Sequence, residues 1–381
     1  MLCDVDFGFP DATRTHTVEV ARGFAKAGLS VDLVARGPAP EMDGVQYAPA
    51  DAAEEERLRR LVLINQRTIG LLWRRRHTAD RFYVRDSWSC LPAILAARML
   101  AYRVVVQVDG IPYGDGGTGG NPLLSLVKRS VAFAVGRLSA GQLAVTPEIK
   151  RLLIRLARVP AERVTVIPNG VDLEFFTPIV REEAISRIGL DPRLRYFVFC
   201  GGLHPWSDFD GMLEAFAEVH RKQADTCLVL VGDGPQRDSV EANAARLGIR
   251  DSVRVTGMLS NRETVRDYLA AATATLLVYS GDKVGKTSAS PIKLTEYLAM
   301  GRAVVAFEIS GLRELLEANG AGIVVNGGPS AMAAAMLTLL EDGAADRYGA
   351  AGRVLAESRL SWHAVIERTL PLFENGSREH A

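Results

Sequence analysis

The chain has 381 residues, and 45 Lys and Arg are balanced by 45 Asp and Glu, so its formal net charge is zero. This length predicts two domains rather than one. The hydrophobic share of 48% and the charged share of 24% are typical of a folded protein and exclude a disordered chain. The balanced charge gives no global reason to expect a nucleic-acid partner.

The cysteines and the apolar runs narrow the class of protein further. The longest apolar runs, Ala270–Tyr279 and Ala331–Leu340, are too short to span a membrane. The start MLCDVDFGFP has neither a basic beginning nor a long apolar core, so we expect no signal peptide and a cytoplasmic protein. The first strand is unusually short, which is compatible with a chain that lacks the first few residues of that strand. The four cysteines are widely separated and include no CxxC pair, which excludes a zinc ribbon or a disulfide framework. They are Cys3, Cys90, Cys200 and Cys227.

In the first half of the chain, short β-type runs alternate with segments of helical period. The predicted strands are Leu2–Val5, Ser30–Val34, Arg81–Val84, Arg103–Val108, Gln142–Val145 and Val164–Ile167. The predicted helices are Val18–Ala27, Leu58–Arg75, Leu91–Leu100 and Ile149–Ala157. This alternation predicts a parallel sheet that is covered by helices on both faces.

The second half repeats the alternation. The predicted strands are Tyr196–Cys200, Cys227–Val231, Val253–Val255, Ala274–Val278, Ala303–Phe307 and Gly322–Val325. The predicted helices are Gly211–Lys222, Gln236–Leu247, Arg262–Ala271, Ile292–Met300 and Ala331–Leu340. The whole pattern predicts an α/β fold of two doubly wound Rossmann-like domains, which we expect to face each other across a cleft that holds the ligand.

The Asn-Gly turn in Pro168–Asp172 and the proline-rich stretch after it predict a connector between the domains. We therefore expect an N-terminal domain over 1–172, a C-terminal domain over 173–358, and a final helix and tail over 359–381.

The segment from Thr287 to Arg302 contains the highest concentration of candidate functional residues. Ser290 is predicted to be the N-cap of a helix, Pro291 its first residue and Gly301 its C′ residue. The free N–H groups at a helix start bind anions, and Lys293 in the first turn would add a cation. Glu296 lies about 9 Å along the axis from Ser290, which is about the offset between the phosphates and the ribose of a nucleotide. The alternative is an ordinary surface ion pair between the two side chains.

Ser290–Gly301, followed by Arg302-Ala-Val-Val, resembles the donor-site helix of retaining family-4 glycosyltransferases, which have the GT-B architecture. Further resemblances lie in Val166–Phe176, Phe199–Leu203, Leu230–Pro235, Val255–Gly257, Gly311–Leu315 and Ser361-Trp362. The resemblance implies transfer of a sugar from a nucleoside diphosphate sugar to a hydroxyl acceptor: a glycan, a lipid-linked molecule or a small natural product. It also implies no metal, no cofactor beyond the co-substrate, and a helix near Trp362–Phe373 that crosses back to the first domain.

The same resemblance implies a set of donor-binding residues. These are Gly201, Gly202, Gly232, Gly234, Gly257, Ser290, Pro291, Ile292, Lys293 and Glu296. Two departures from the family pattern stand out. Ser288 occupies the place of a first glutamate that contacts the sugar, so Asp282 or Lys286 becomes the candidate substitute. In the family pattern an Arg and a Lys hold the diphosphate, but here those two positions are Gly202 and Ser207. The resemblance therefore shifts this role to the helix N–H groups, Lys293 and Arg14.

Asp109, in Val108-Asp109-Gly110, resembles the strand end where relatives carry His or Asn near the reacting carbon. A carboxylate there can stabilise a positively charged sugar or orient the acceptor, which makes Asp109 the candidate catalytic residue. The alternative is an aspartate that caps the glycine-rich loop Gly114–Gly120. The segment Phe9–His16 resembles the family's flexible loop over the diphosphate, with Arg14 as a donor candidate. His16 is an acceptor candidate, although a single His at a helix start is more often structural.

Three other patterns receive the simpler interpretation. Gly232-Asp-Gly234-Pro-Gln-Arg237 lacks the third glycine of a dinucleotide fingerprint. The carboxylate pairs Asp4/Asp6 and Asp208/Asp210 have the form of a metal site, but such short strings arise by chance. The basic amphipathic stretch Leu58–Arg76 suits weak contact with a membrane surface, and packing on the sheet is the favoured alternative.

Two other functions stay open at this point. One is a nucleotide-sugar epimerase or hydrolase on the same architecture. The other is a catalytically silent partner subunit, which the residues at Ser288, Gly202 and Ser207 motivate.

Overall fold

The computed structural model describes residues 1–8, 12–50, 57–85, 88–110, 122–279, 291–309 and 311–374. The chain divides into two compact units. Among the described residues, the first unit holds those of 1–170 and of 362–374, and the second unit holds those of 171–361.

The first unit contains a seven-stranded sheet in which every neighbouring pair is parallel. Its strands lie in the order β3-β2-β1-β4-β5-β6-β7. The order reverses at β1, which makes this a doubly wound sheet. The strands are β1 (Leu2–Asp6), β2 (Val31–Arg36), β3 (Val45–Pro49), β4 (Arg81–Arg85), β5 (Arg103–Val108), β6 (Gly141–Ala144) and β7 (Val164–Val166).

Helices connect these strands on both faces of the sheet. They are α1 (Ala12–Lys26), α2 (Arg57–Arg75), α3 (Leu91–Met99), α4 (Pro122–Leu138) and α5 (Pro147–Ala157). Since crossovers between parallel strands are right-handed as a rule, this strand order is expected to put α1 on one face and α2 to α5 on the other. In agreement, α3 packs against both α2 and α4. The C-terminal helix α14 (Trp362–Thr369) packs against α1, as the predicted crossing to the first domain requires.

The second unit contains a six-stranded parallel sheet in the order β10-β9-β8-β11-β12-β13. Its strands are β8 (Arg195–Cys200), β9 (Thr226–Val231), β10 (Val253–Val255), β11 (Ala272–Leu277), β12 (Ala303–Phe307) and β13 (Gly322–Val325). Its helices are α6 (Arg181–Ile188), α7 (Phe209–Lys222), α8 (Arg237–Arg246), α9 (Arg262–Ala271), α10 (Ile292–Ala299), α11 (Leu312–Leu316), α12 (Gly328–Thr338) and α13 (Ala344–Leu355).

Sequence and burial agree in both sheets. The central strands read as continuous apolar runs because helices cover both of their faces, and β12 is buried along its whole length. Side-chain caps begin several helices: the side chain of Asn261 accepts from the N–H groups of Glu263 and Thr264 at the start of α9. These features confirm the predicted fold of two Rossmann-like α/β units. Among the described residues, no helix has an apolar stretch long enough to cross a membrane.

Candidate functional site

The carboxyl ends of β8, β9 and β10 bring three glycine-containing turns to one edge of the second sheet. Gly201 follows β8, Gly232 follows β9 and Gly257 lies two residues beyond β10. A single β-bridge joins Gly232 to Gly257. The strand order reverses at β8, and such a switch point is the usual ligand site of an open parallel sheet.

The lack of side chains at these turns is a steric requirement. Gly201 and Gly232 both have a φ of +143°, which side chains disfavour. A Cβ on Gly232 would lie 2.2 Å from the carbonyl oxygen of Gly201, and a Cβ on Gly234 would lie 2.6 Å from that of Leu203. A Cβ on Gly201 would lie 2.6 Å from Nζ of Lys293. The turns are therefore packed closely against each other and against α10.

Helix α10 begins one residue later than the sequence suggests. Pro291 is the N-cap with extended dihedral angles (φ −70°, ψ 124°), so Ile292 rather than Pro291 is the first helical residue. This corrects the predicted start, while Ser290 lies outside the described residues. Gly301 follows the helix with a φ of +64°, which confirms it as the C′ residue.

A tyrosine fixes α10 to the end of β8. The hydroxyl of Tyr297 accepts from the backbone N–H of Cys200 at 2.8 Å and donates to the carbonyl of Cys200 at 3.1 Å. Tyr297 is fully buried. Because Lys293 and Glu296 lie within one turn of it, their positions relative to Gly201 are set by this pair of hydrogen bonds.

Lys293 lies half-buried between aromatic rings. Its Nζ lies 4.5 Å from the ring centre of Phe199 and 5.3 Å from that of Tyr279. Burial lowers the pKa of Lys293 to about 8, and the nearby Cys200 and Glu296 oppose this shift only in part. The ammonium group is thus held in an environment that would favour an incoming anion.

Glu296 is half-buried on the same face of α10. Burial raises the pKa of its carboxyl group to about 7, against the opposing effects of Arg262 and Lys293. Within the part of the chain that the structure describes, no ion pair joins Glu296 to Lys293. The alternative of an ordinary surface ion pair therefore does not describe these two residues.

The turn after β8 is neutral where the family pattern would place cations. The His204 ring stacks on Trp206 with the ring centres 4.1 Å apart. Burial, followed by the charge of Lys293, lowers the pKa of His204 and favours its neutral form. Ser207 is buried and bridges to Tyr279. The turn therefore supplies aromatic surface, while Lys293 supplies the charge.

Asp109 lies just beyond β5 in the first unit, where it accepts two hydrogen bonds. Nε of Arg85 donates to Oδ2 at 2.5 Å, and Nε2 of Gln107 donates to Oδ1 at 2.6 Å. Burial alone would raise the pKa of Asp109, but the charge of Arg85 and the hydrogen bonds from Gln107 and Arg85 outweigh it and lower the pKa. The half-buried carboxylate is thus ionised and held in one orientation.

His16 lies in the core behind this carboxylate. It is 1% exposed, its Nε2 lies 2.8 Å from Nε2 of Gln107, and its ring meets Trp362 edge-on at 5.3 Å. Burial, followed by the charge of Arg85, lowers the pKa of His16 to about 3, so the ring is neutral. A role in acceptor binding stays a prediction; in the structure the His16 ring contacts Gln107, which in turn donates to Asp109. The loop Gly114–Gly120 lies outside the described residues.

The remaining predicted residues have different surroundings. Arg14 is half-buried on α1, whereas Asp282 and Lys286 lie outside the described residues. Arg36 pairs with both Asp4 and Asp6, at 3.0 and 3.2 Å. The side chain of Asp208 caps α7 through the N–H of Gly211, and that of Asp210 accepts from Asn243. Among the described residues, no group of three or more His, Cys, Asp or Glu could hold a metal ion.

Several contributors to both sites were not predicted. Phe199 and Tyr279 flank Lys293. Arg262, the first residue of α9, lowers the pKa of the Glu296 carboxyl group. Gln107 and Arg85 hold Asp109. Gln107 is a polar residue inside the apolar strand β5, and this local signal could have indicated the hydrogen bonds around Asp109.

Comparison with known proteins identifies the family. A sequence model described as "Glycosyltransferase Family 4" matches residues 13–175, and one described as "Glycosyl transferases group 1" matches residues 195–342. The chain belongs to the family-4 glycosyltransferases.

Curated relatives align with the chain at low to moderate identity. The D-inositol 3-phosphate glycosyltransferase of Thermobispora bispora is 32% identical over 58% of this chain and 53% of its own length, so the alignment spans about half of that relative. The D-inositol 3-phosphate glycosyltransferase 1 of Catenulispora acidiphila is 26% identical over 94% of this chain and 90% of its own length. The alpha-D-kanosaminyltransferase of Streptomyces kanamyceticus is 30% identical over 50% of this chain and 48% of its own length.

Solved structures of similar fold match nearly the whole chain. A glycosyltransferase from Rickettsia africae has a TM-score of 0.77 at 14% identity, covering 100% of this chain and 98% of its own. Anabaena HepE in complex with UDP-glucose has a TM-score of 0.73 at 17% identity, covering 98% of each chain. At such identities these likenesses show the fold alone, which is the GT-B architecture.

Proposed function

We propose that this protein is a retaining glycosyltransferase that moves a sugar from a nucleoside diphosphate sugar to a hydroxyl acceptor. One observation carries the proposal: Lys293 and Glu296 lie on one turn of α10, half-buried beside glycine turns at the switch point of the second sheet. A cation and a carboxylate at that spacing are complementary to the diphosphate and the ribose diol of such a donor.

Lys293 and the first N–H groups of α10 would bind the diphosphate. The N–H groups at a helix start are free to donate, and the helix dipole favours an anion there. Gly201 supports this role because a side chain at that position would collide with Nζ of Lys293. The diphosphate would bring negative charge, which favours the ammonium form of Lys293 that burial disfavours.

Glu296 would accept hydrogen bonds from the two ribose hydroxyls. With a pKa of about 7, this carboxyl group is partly protonated near neutral pH. Hydrogen bonds from the diol would favour the ionised form and lower that pKa. Arg262 also favours the carboxylate.

Asp109 would stabilise positive charge on the transferred sugar. Departure of the diphosphate leaves an oxocarbenium-like sugar, and a fixed carboxylate binds this charge more strongly than the neutral ground state. The bond from the anomeric carbon to the phosphate oxygen breaks, and a bond to the acceptor oxygen forms on the same face. The acceptor proton passes to the departing phosphate oxygen, so the anomeric configuration is retained.

The proposal includes no metal and no cofactor other than the donor. The cationic side chain of Lys293 and the start of α10 can neutralise the leaving diphosphate, a role that a metal ion has in other transferases. The names of the relatives specify inositol 3-phosphate as an acceptor in some and kanosamine as the sugar in another. We therefore specify only a hydroxyl acceptor for this chain.

One observation favours a second candidate, a catalytically silent partner subunit with the same fold. Gly202 and Ser207 occupy the two places where the family pattern has diphosphate-binding cations, and the buried Ser207 supplies no charge. Ser288 replaces a glutamate of the same pattern. A silent subunit would bind no donor productively, whereas a transferase turns it over.

A panel of nucleotide sugars tests the proposal. A ligand that binds the folded state raises the melting temperature by mass action, so we expect one base and sugar to produce the largest shift. The donor found in this way is then incubated with hydroxyl acceptors, and release of the nucleoside diphosphate is measured. Acceptor-dependent release supports the transferase, release without any acceptor supports a hydrolase, and no release with any donor supports the silent subunit.

A further inference from the structure

Three neighbouring helices of the first unit present large apolar side chains to solvent. We call the outward side of α2, α3 and α4 the basic helical face. On α4, Leu123 is 70% exposed, Leu126 59% and Phe133 40%. On α2, Trp73 is 57% exposed, and on α3, Met99 is 87% exposed. Single exposed apolar residues are ordinary, but a concentration on adjacent helices indicates a binding surface.

The exposed residues of α4 form a stripe along one side of the helix. Leu123, Leu126, Val127 and Phe133 recur at the three- and four-residue spacing that brings side chains to one face. The opposite side contributes Val135 to the core of the unit. Helix α4 therefore has an apolar side toward the sheet and a second apolar side toward solvent.

The same three helices carry positive charge only. They contain ten Lys and Arg, six on α2, one on α3 and three on α4, and they contain no Asp or Glu. Arg75 pairs with Asp32, and six of the other cations are exposed: Arg59, Arg67, Arg74, Arg98, Arg129 and Arg137. The exposed charge on these helices is therefore positive, although the whole chain has a formal net charge of zero. Such segregation creates a local field that attracts an anionic partner.

Arginines lie directly beside the exposed aromatic rings. The guanidinium group of Arg76 lies 4.3 Å from the ring centre of Trp73, and that of Arg137 lies 5.2 Å from that of Phe133. Arg67 and Arg74 are also exposed on α2. Aromatic and aliphatic side chains flanked by cations are suited to the boundary between acyl chains and headgroups.

We propose that the basic helical face binds the surface of a membrane that contains anionic lipids. The apolar stripe of α4, with Trp73, would enter the headgroup boundary while the arginines contact lipid phosphates. The charge excludes a second copy of this face as the occupant, because cations would then meet cations. A nucleic acid would use the cations but would leave the exposed aliphatic side chains of α4 without an apolar partner. This inference does not depend on the donor site.

Vesicle flotation tests the proposal with the whole 381-residue chain. We expect binding to vesicles of phosphatidylcholine with about one third phosphatidylglycerol, little binding to phosphatidylcholine alone, and a steep loss with added salt. The double variant Arg67→Glu/Arg74→Glu should reduce partitioning at least about tenfold. The double variant Leu126→Gln/Phe133→Gln should also reduce it, by removing the apolar contact while leaving every charge in place.

Matched controls come from the second unit. Arg221→Glu/Arg359→Glu reverses two exposed cations, and Val180→Gln/Val354→Gln replaces two exposed aliphatic residues. Both controls should bind vesicles like the unaltered protein, and circular dichroism should show that all four variants are folded.

Several results would overturn the proposal. Equal binding to neutral and anionic vesicles would remove the role of charge, and equal losses in the control variants would remove the role of this face. Tight binding of single-stranded RNA that is unaffected by Leu126→Gln/Phe133→Gln, without vesicle binding, would identify a nucleic-acid surface. Absence of vesicle binding at low salt contradicts the proposal outright.

Discussion

Asp109 in the first unit and Glu296 in the second are both half-buried carboxylates, but their surroundings shift their pKa values in opposite directions. Arg85 and Gln107 donate directly to Asp109 and hold it ionised. Among the described residues no side chain donates to Glu296 in this way, and burial raises the pKa of its carboxyl group to about 7. Lys293 beside it is likewise shifted toward its neutral form.

The difference separates two kinds of site. Asp109 has a charge that the protein itself orients, which suits stabilisation of charge that appears only in a transition state. Lys293 and Glu296 lack full compensation in the protein alone, which suits a ligand that brings phosphates and hydroxyl groups. Changes at Asp109 should therefore alter the rate, and changes around α10 should alter affinity.

The largest effect is expected for Asp109→Asn. Loss of one fixed electrostatic group typically lowers kcat on the order of 10²–10³-fold, and donor affinity should change little. Asparagine keeps the shape and can still accept from Gln107. Steady-state kinetics with saturating donor and acceptor measures the effect, with Asp80→Asn as an exposed control. Near-normal turnover would leave Asp109 as a structural residue only.

The next effect is expected for Glu296→Ala. Each charge-assisted hydrogen bond to a ribose hydroxyl contributes roughly 1.5–3 kcal/mol, so donor affinity should fall more than about tenfold. Calorimetric titration with the nucleotide sugar measures it. Glu314→Ala removes an exposed carboxylate from α11 of the same unit and should leave the affinity unchanged. Equal affinity in both variants would contradict the assigned role of Glu296.

A smaller effect is expected for Gly201→Ala, since its Cβ must displace Nζ of Lys293. We expect a several-fold loss of donor affinity together with a stability loss of about 1 kcal/mol from the positive φ. Gly248→Ala is the matched control, because Gly248 also has a positive φ (+72°) but a Cβ there meets nothing within 4 Å. If both variants lose stability and neither loses affinity, Lys293 does not contact the donor.

The smallest effect is expected for metal removal. Within the described ranges no cluster of His, Cys, Asp or Glu suits a metal, and Arg36 already pairs with Asp4 and Asp6. Transfer activity should survive exhaustive dialysis against EDTA. Activity that disappears and returns with Mg²⁺ or Mn²⁺ would contradict the proposed metal independence.

The sequence predicted the parallel strands better than the elements between them. Strand β3 was missed because it is a half-exposed edge strand that ends in Pro49. Helix α13 was missed because Gly349 and Gly352 disfavour a helix. Tertiary packing requires a residue without a side chain here, because a Cβ on Gly349 would lie 2.1 Å from the carbonyl oxygen of Gly301. Such a contact between distant segments cannot be read from local periodicity.

The candidate sites show the same limit. Lys293 and Glu296 were found because helical spacing alone puts them on one face of α10. Arg85 was missed because its pairing with Asp109 depends on the register of β4 and β5, which aligns Arg85 with Gln107. Phe199 lies in β8 and Tyr279 follows β11, so both meet Lys293 only after the sheet has formed.

The pH dependence of donor binding tests the central claim most directly. The diphosphate of a nucleotide sugar does not titrate near neutral pH, so the profile reports on the protein. Affinity should fall below about pH 7 as Glu296 is protonated and above about pH 8 as Lys293 loses its proton. Lys293→Met should remove the alkaline limb and Glu296→Gln the acidic limb. A flat profile from pH 6 to 9, or limbs that persist in these variants, would contradict the assignment of the donor site to α10.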